Sequence, residues 1–539
     1  MPHINEIKLR PGEDISVIPD RIIEKLGLDK NSWCVTNRKI TRKSIDARNK
    51  RRIRFVYAVQ FDLEEMGDEQ GKTSPALERL QREESPKPSY TLPKAVAASP
   101  PMRPVVAGFG PCGIFAAYAL AKAGLRPIVL ERGRPVEERS RHVAAFWKDG
   151  ILNENSNVFF GEGGAGTFSD GKLTTGIGDI RKAFICETFA EAGGGEELLY
   201  LSRPHLGTDI LRTVIRNLRN AVLDAGGDIR FGCKLAGIGT DMHGRLKTVV
   251  TENVDRETAS RDFDEIETDR LVIAIGHSAR DTLRILHGHG IAMEQKPFSM
   301  GIRIEHPQQL INESQYGRDF ESIYGMSYRD AELPAAEYKL SHRCADGRGV
   351  YTFCMCPGGQ VIAAASESQG ICTNGMSERA RAGAYANSAV LVDVRPEDFG
   401  SDHPLAGFAL QREIESRAFA ISAANDSVHG YLPLTETLAI FGGSDSALAQ
   451  CLPEFIARDI REALPVFARR LAGFDAADTR IYGPETRSSS PVRIPRDAAM
   501  QSNIRGLYPC GEGAGFAGGI MSAAVDGLKV AEQIIADLA

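Results

Sequence analysis

"RPVVAGFGPCGIFAAYALAKAGLRPIVLERG", residues 103–133, decides the fold. A short apolar run at Val105, Val106 and Ala107 leads into Gly108-x-Gly110-x-x-Gly113; an Ala-rich stretch follows, and a second apolar run ends on Glu131. Strand, glycine turn, helix and strand in that order make a βαβ unit of a parallel sheet. Gly108 suits the tight turn, Gly110 lets backbone approach a pyrophosphate, and Gly113 lets helix lie close on strand. The helix N-terminus turns N–H groups and a positive dipole toward the phosphates. Glu131, 18 residues past Gly113, stands where a carboxylate accepts hydrogen bonds from a ribose hydroxyl. That acid disfavours a 2′-phosphate, so the pattern expects FAD or NAD. Pro111 and Cys112 fill the turn, and Arg132 follows the acid.

Three further segments extend the reading. "RPHLGTDILRTVIRNLRNAVLDAGGDIRFGCKL", residues 203–235, gives a long amphipathic helix, a glycine stop and a strand. "ETDRLVIAIGHSARDT", residues 267–282, is an apolar strand running to Ala274, Ile275 and Gly276. "NIRGLYPCGEGAGFAGGIMSAAVDGLKVAEQIIADL", residues 503–538, carries a strand to Cys510, an acidic turn at Gly511 and Glu512, and a final helix opened by Gly518 and Gly519. "GEGGAGTFSDGKL", residues 161–173, is neither a linker nor a Walker loop. Phe159, Phe160 and Phe168 anchor it, and Leu173 stands where the Walker pattern needs Ser or Thr.

A chain of 539 residues with 42% hydrophobic and 25% charged residues should hold about three globular units. Net charge of −6 argues against nucleic-acid affinity of the whole, with one local exception. Between Arg38 and Arg54 nine residues are Lys or Arg and one, Asp46, is acidic. This stretch reads as a solvated face or as a polyanion site, with RNA the candidate partner. No run approaches the roughly 20 apolar residues of a membrane span, so the expected compartment is the cytoplasm. Ten scattered cysteines lack a disulfide framework and read as reduced thiols.

From about residue 104 onward the chain resembles the glutathione-reductase-like flavoproteins. It is most similar to a family of bacterial FAD-dependent dehydrogenases, or NAD(P)/FAD-dependent oxidoreductases, with a family-type FAD-dependent C-terminal domain. The resemblance implies an α/β fold: a discontinuous FAD-binding Rossmann domain with an inserted α+β substrate domain, preceded here by a small N-terminal α+β domain. The expected boundaries are 1–65 for the basic N-terminal unit and 66–103 for a Pro/Ser-rich linker. FAD-domain pieces are expected at 104–281 and 491–539, with the insert at 282–490. Noncovalent FAD is implied, with Ala274 and Gly276 where the chain leaves the domain, Ile275 replacing the usual Thr. Glu512 beside Gly511 would meet the ribityl chain, and Gly519, Ile520 and Met521 the flavin pyrimidine. Gly163, Gly164 and Gly166 would lie along the isoalloxazine, with Thr167 and Ser169 offering hydroxyls.

No second strand–GxGxxG–helix unit is present for a nicotinamide nucleotide, so NAD(P)H is a candidate donor arriving at an open flavin face. Catalytic candidates are Lys172, Arg303 and Arg487. His205 and His277 join Lys172 as conceivable proton donors, each read first as structural or merely polar. Arg303 and Glu305 share one face of "KPFSMGIRIEHP" as a surface ion pair or as active-site charges. Arg487 opens a run with Ser488, Ser489, Ser490, Arg493 and Arg496 that suits a carboxylate, a phosphate or the flavin edge. Cys354 and Cys356, one residue apart on one strand face, are buried structural thiols or a redox or metal pair. The functional expectation is a hydride-transferring FAD-dependent oxidoreductase acting on a small molecule. A flavin-dependent RNA-modifying enzyme and a non-catalytic flavin sensor are the alternatives.

Overall fold

The computed structural model describes residues 1–66, 89–94, 101–255, 263–425 and 430–538. Five short strands form a parallel sheet in the spatial order Leu507–Pro509, Leu271–Ile273, Val105–Ala107, Ile128–Glu131 and Asp228–Phe231. Four of the five are fully buried, which explains their apolar character, whereas the edge strand Asp228–Phe231 is only partly covered. Val106, Val129 and Val272 face the helices Pro111–Lys122, Thr208–Asp224 and Ile520–Ala536. Val105, Ala107, Ile128, Leu130, Leu271 and Ile273 face the other way, joining Leu235, Ile238 and Val249 of an antiparallel ribbon. That ribbon consists of Cys233–Thr240, Leu246–Asn253 and Phe263–Glu267.

Between its fourth and fifth parallel strands in chain order, Leu271–Ile273 and Leu507–Pro509, the chain builds a six-stranded antiparallel sheet. The order there is Ser341–Arg343, Gly349–Cys356, Tyr385–Val394, Phe298–Pro307, Arg480–Glu485, Leu434–Thr437. Helices Ala406–Asn425 and Glu454–Arg470 contribute buried residues to its core. The parallel sheet is therefore discontinuous in sequence, the arrangement expected from its motifs. No described helix is long and apolar enough to cross a membrane.

Strands His3–Leu9, Trp33–Asp46 and Arg54–Glu65 form the N-terminal sheet, covered by helix Ile18–Leu26. The helix buries Ile18, Ile22, Ile23 and Leu26 on one face and stops at Gly27, whose φ of 65° is left-handed. This unit does not keep a core to itself. Ile4, Ile53, Phe55 and Phe61 belong to one continuous apolar cluster with Met300, Ile302 and Ile304 of the six-stranded sheet. Of the linker expected at 66–103, residues 67–88 and 95–100 lie outside the described residues. Tyr90, within the described part, donates a 2.7 Å hydrogen bond to Glu532 of the last helix.

Helices Pro111–Lys122 and Ile520–Ala536, from opposite ends of the flavoprotein-like region, cross in close backbone contact. A Cβ at Gly527 would stand 2.2 Å from the Cys112 carbonyl oxygen, and one at Gly113 would stand 1.9 Å from that of Gly108. Gly527→Val should therefore lower stability by about 2–3 kcal/mol through overpacking, measured by chemical denaturation. An unchanged midpoint would mean that the crossing is looser than this.

Candidate cofactor cleft

A cleft opens at the C-terminal ends of the parallel strands, the place where open α/β sheets bind ligands. Two helices begin in it without a side-chain cap: Pro111–Lys122 after Gly110, and Ile520–Ala536 after Gly519. Uncapped first turns direct N–H groups and positive dipole into the cleft, one suited to a pyrophosphate and one to an electron-rich ring edge. Gly108, Gly110, Pro111, Cys112, Glu131 and Arg132 line one end. Gly164, Gly166, Ser169, Ala274, Gly276, Glu512, Gly519 and Ile520 continue the lining.

Glu131 is already bound by backbone. Its Oε2 accepts from Phe109 N at 2.9 Å, and its Oε1 accepts from Gly133 N at 2.8 Å and Gly161 N at 3.0 Å. The carboxylate thus welds the glycine turn to the 161–166 loop, and a ribose hydroxyl would use its remaining lone pairs. Arg132 donates to Asp281 at 2.7 Å and lies over the Phe160 ring at 4.3 Å. His277 Nδ1 is 3.5 Å from Glu512 Oε1. His277 Nε2 and Ser278 Oγ are buried without a hydrogen-bond partner, and both residues line the cleft. Orphaned polar atoms on such a wall fit a polar ligand that completes them.

Several expected contacts lie one layer back. Gly113, Gly163, Gly511 and Met521 shape the wall without lining it. The Thr167 hydroxyl, expected to face a cofactor, instead donates to the Glu162 carbonyl at 3.1 Å, because buried Arg139 and the turn Gly164–Phe168 enclose it. Arg303 is 0% exposed and is neither a surface charge nor a lining residue. It pairs bidentately with Glu485 at 2.6 and 2.8 Å and donates to Asn387 Oδ1 at 2.7 Å and to the Cys354 carbonyl at 3.3 Å. Arg303 thus positions two residues that do line the cleft, Glu485 and Cys354.

Lys172 and Arg487 do reach the cleft. The Lys172 ammonium donates to the Met355 carbonyl and lies 3.7 Å from Asp170 and 3.6 Å from Glu337. Arg487 grips Glu415 at 2.8 and 2.7 Å, and Arg280 grips the same carboxylate from the parallel-sheet side at 2.8 and 2.9 Å. Burial would raise the Glu415 pKa, but Arg280 and Arg487 hold it well below the usual carboxylate range. Ser488 lines the cleft, while Ser489, Ser490, Arg493 and Arg496 do not.

Beside this cleft lies a second cavity of 1030 Å³, walled by the N-terminal unit, the 201–205 loop and residues 315–337. Seven of its lining residues are Lys or Arg and four are Asp or Glu. The partition between the cavities is an ion cluster: Lys172 and Asp170 face the cleft, while Glu337, Arg381 and His205 face the chamber. Arg381 donates to Asp170 at 2.9 Å, and His205 Nε2 donates to the Arg379 carbonyl at 3.0 Å. Burial and then Arg381 lower the His205 pKa, favouring the neutral ring. In the basic stretch 38–54, Arg42, Lys43, Arg48 and Lys50 line this chamber, whereas Arg38, Lys39, Arg51 and Arg52 are exposed outside it. Sequence reasoning missed Glu415, Glu485 and Glu337. Each stands alone in an ordinary helix, strand or loop, and none carries a local pattern.

The family description "FAD-dependent protein, C-terminal domain-like" matches residues 297–488, and a domain of unknown function (DUF8436) matches residues 1–62. A protein of Clostridium beijerinckii with no characterised function is 42% identical over 554 aligned residues, covering 99% of this chain and 98% of that one. Among solved structures, glycerol-3-phosphate dehydrogenase from Bacillus halodurans complexed with FAD is 13% identical. It matches over 81% of this chain and 64% of its own, with a TM-score of 0.35. L-proline dehydrogenase from P. horikoshii is 12% identical over 81% of this chain and 94% of its own, with a TM-score of 0.33. Likenesses this distant say nothing about activity or substrate.

Two buried acids give opposite pH signatures. Glu415→Gln leaves two guanidiniums short of a charge and should cost about 3–5 kcal/mol. The wild-type contribution of Glu415 is present above its unfolded pKa of 4.5 and is lost as pH falls. Glu162, in the glycine loop, is pushed up to about 7 by burial, against the opposing Val136 N–H and Arg219. Between 4.5 and about 7 the unfolded chain has released that proton and the folded chain has not, so stability declines as pH rises. Thermal melts across pH 4–8 should show that decline flattened in Glu162→Gln.

Proposed function

We propose, from the premise that this chain belongs to a family of FAD-dependent proteins, that it is an oxidoreductase holding FAD noncovalently in the cleft. The observation that carries the reading is the meeting of two uncapped helix N-termini, at Gly110 and Gly519, beside the orphaned His277 Nε2 and Ser278 Oγ. The helix after Gly110 would take the pyrophosphate, with Glu131 at the adjoining ribose. The helix after Gly519, together with Glu512, would hold the ribityl and pyrimidine part. Bound there, FAD supplies two-electron, hydride-type redox chemistry.

What the chain adds is placement, charge and a proton. Gly164, Gly166 and Ser169 keep the floor of the cleft low enough for a flat ring. Arg487 holds positive charge on the opposite wall, fixed by Glu415. Lys172 holds a proton at the partition, where Asp170, Glu337 and the Met355 carbonyl keep its ammonium in place. A substrate entering from the chamber meets a net excess of cations, so a small anionic molecule is the class it favours. NAD(P)H is the candidate donor, docking at the open side of the cleft without a nucleotide-binding module of its own.

RNA contact through residues 38–54 is the rival reading of the same charge, resting on the exposed Arg38, Lys39, Arg51 and Arg52. It predicts a steep loss of affinity with salt, whereas a chamber ligand competes with small anions. The purified chain should be yellow and should release its FAD on heat or acid denaturation. Anaerobic NADH or NADPH should bleach it, and Lys172→Met should keep FAD while slowing turnover about 10²-fold or more. A colourless chain that takes up no added FAD would overturn the proposal.

A further inference from the structure

Within the wall that faces the glycine loop, the strand Gly349–Cys356 breaks its pairing with Tyr385–Val394. Phe353 is opposite Ala389, but the next paired residue is Cys356, opposite Asn387. The extra residue is taken up at Cys354, whose φ of 43° lies in the left-handed region that side chains other than glycine rarely adopt. The bulge turns half-buried Cys354 into the cleft and leaves Cys356 fully buried behind it. Cys356 Sγ donates to the Cys354 carbonyl at 3.3 Å, which brings the buried thiol up beside Cys354. Two cations flank the pair. Arg303 Nη1 is 3.3 Å from the Cys354 carbonyl oxygen and 4.0 Å from Cys356 Sγ, and Lys172 donates to the carbonyl of the intervening Met355.

We propose that Cys354 and Cys356 form a redox pair that exchanges two electrons with the FAD of the cleft and passes them to a disulfide-containing substrate. This rests on the reading of the cleft as an FAD site. When FAD has been reduced by a hydride donor of the nicotinamide class, the S–S bond between Cys354 and Cys356 breaks. Two electrons and one proton reach the pair from the reduced cofactor, a second proton comes from solvent, and two S–H groups result. The Cys354 thiolate then attacks one sulfur of the substrate disulfide and releases a thiol. Cys356 attacks Cys354, which frees the second thiol and restores the pair's S–S bond.

The two sulfurs differ in the way such a relay needs. The neighbouring Cys356 thiol, and then Arg303 and Lys172, lower the Cys354 pKa against the burial that would raise it, while Cys356 is pushed well above the ordinary thiol value. The cleft-facing sulfur is therefore the nucleophile, and the buried one resolves. A merely structural pair would need neither the left-handed backbone at Cys354 nor its exposure to the cleft. Cys112 and Cys510, with sulfurs 2.9 Å apart, are a second thiol pair and supply the control.

Anaerobic dithionite titration of the oxidised, FAD-loaded chain should consume about four electrons per FAD. Cys354→Ser/Cys356→Ser should lower this to about two, the couple of the flavin alone, while Cys510→Ser keeps four. In parallel, wild-type holoprotein equilibrated in glutathione redox buffers, quenched and alkylated, should yield the peptide carrying both cysteines in a disulfide form. That form should disappear as the buffer becomes reducing. FAD-loaded wild type that takes about two electrons, with both thiols alkylated at every poise, overturns the relay and leaves the FAD site standing. A chain that binds no FAD overturns the reading of the cleft instead.

Discussion

One buried carboxylate joins the two halves of the cleft. Glu415, 0% exposed, receives Arg280 from the start of the helix that follows the parallel strand Leu271–Ile273 and Arg487 from just past the antiparallel strand Arg480–Glu485. Thr486 Oγ1 donates to it as well, at 2.7 Å, and Gln411 Oε1 takes a further bond from Arg280. Moving such a carboxylate out of water is unfavourable until both guanidiniums and the hydroxyl arrive together, so the cluster has one acceptable geometry. That geometry presents Arg487 to the cleft and sets the antiparallel wall at a fixed height over the glycine loop. A hydrophobic contact of equal area would tolerate sliding; this one does not.

The same logic of enclosure explains why the cleft floor is backbone. A flat ligand lying across strand ends needs atoms beneath it that do not project, and the loop from Gly161 to Gly171 supplies them. Two polar side chains brace the loop from behind: Thr167 on the Glu162 carbonyl, and Arg139, from the helix Val136–Asp149, on the carbonyls of Asn157, Val158 and Glu162. Positive character then comes from two helix dipoles rather than from side chains at the floor. Those helices arise more than 400 residues apart in sequence, at Pro111 and Ile520, and the glycine at their crossing lets both reach the same spot.

The parts legible in the sequence were those with local periodicity. The glycine fingerprint, the apolar strands ending at Ala107 and Glu131, and the last helix each announce themselves within about 30 residues and take their expected places, while the strand read as running to Gly276 ends at Ile273. Chain order placed Arg487 near the cleft and the likeness of the glycine loop to that of related flavoproteins placed Lys172; both side chains line it. Arg303 was misplaced because alternation along a strand says which side chains share a face and not what covers that face; here Glu485 and Asn387 cover it. Thr167 was misplaced for a related reason, since a 3-10 turn rotates its hydroxyl away from the surface that its glycines form. Glu415, Glu485 and Glu337 acquire meaning only through partners 72 to 182 residues distant, which no spacing rule encodes. Nor does an alternating strand reveal that Cys354 takes a left-handed conformation.

Attachment of the N-terminal unit bears on how the whole molecule works. Besides sharing a core with the six-stranded sheet, it pairs backbone with the parallel-sheet region: Lys43 N donates to the Tyr200 carbonyl at 2.7 Å, and Ser202 N donates to that of Lys43 at 2.9 Å. Ile53 N further donates to Tyr324 Oη at 2.7 Å. A unit held by a common apolar core and by backbone bonds to two other layers is a wall of the chamber, not an appendage. Arg42 and Lys43 on that wall and the Lys172–Asp170 pair at the partition then belong to one continuous charged path. Without the first 66 residues the chamber side of the partition cluster would face open water, where ion pairs are screened.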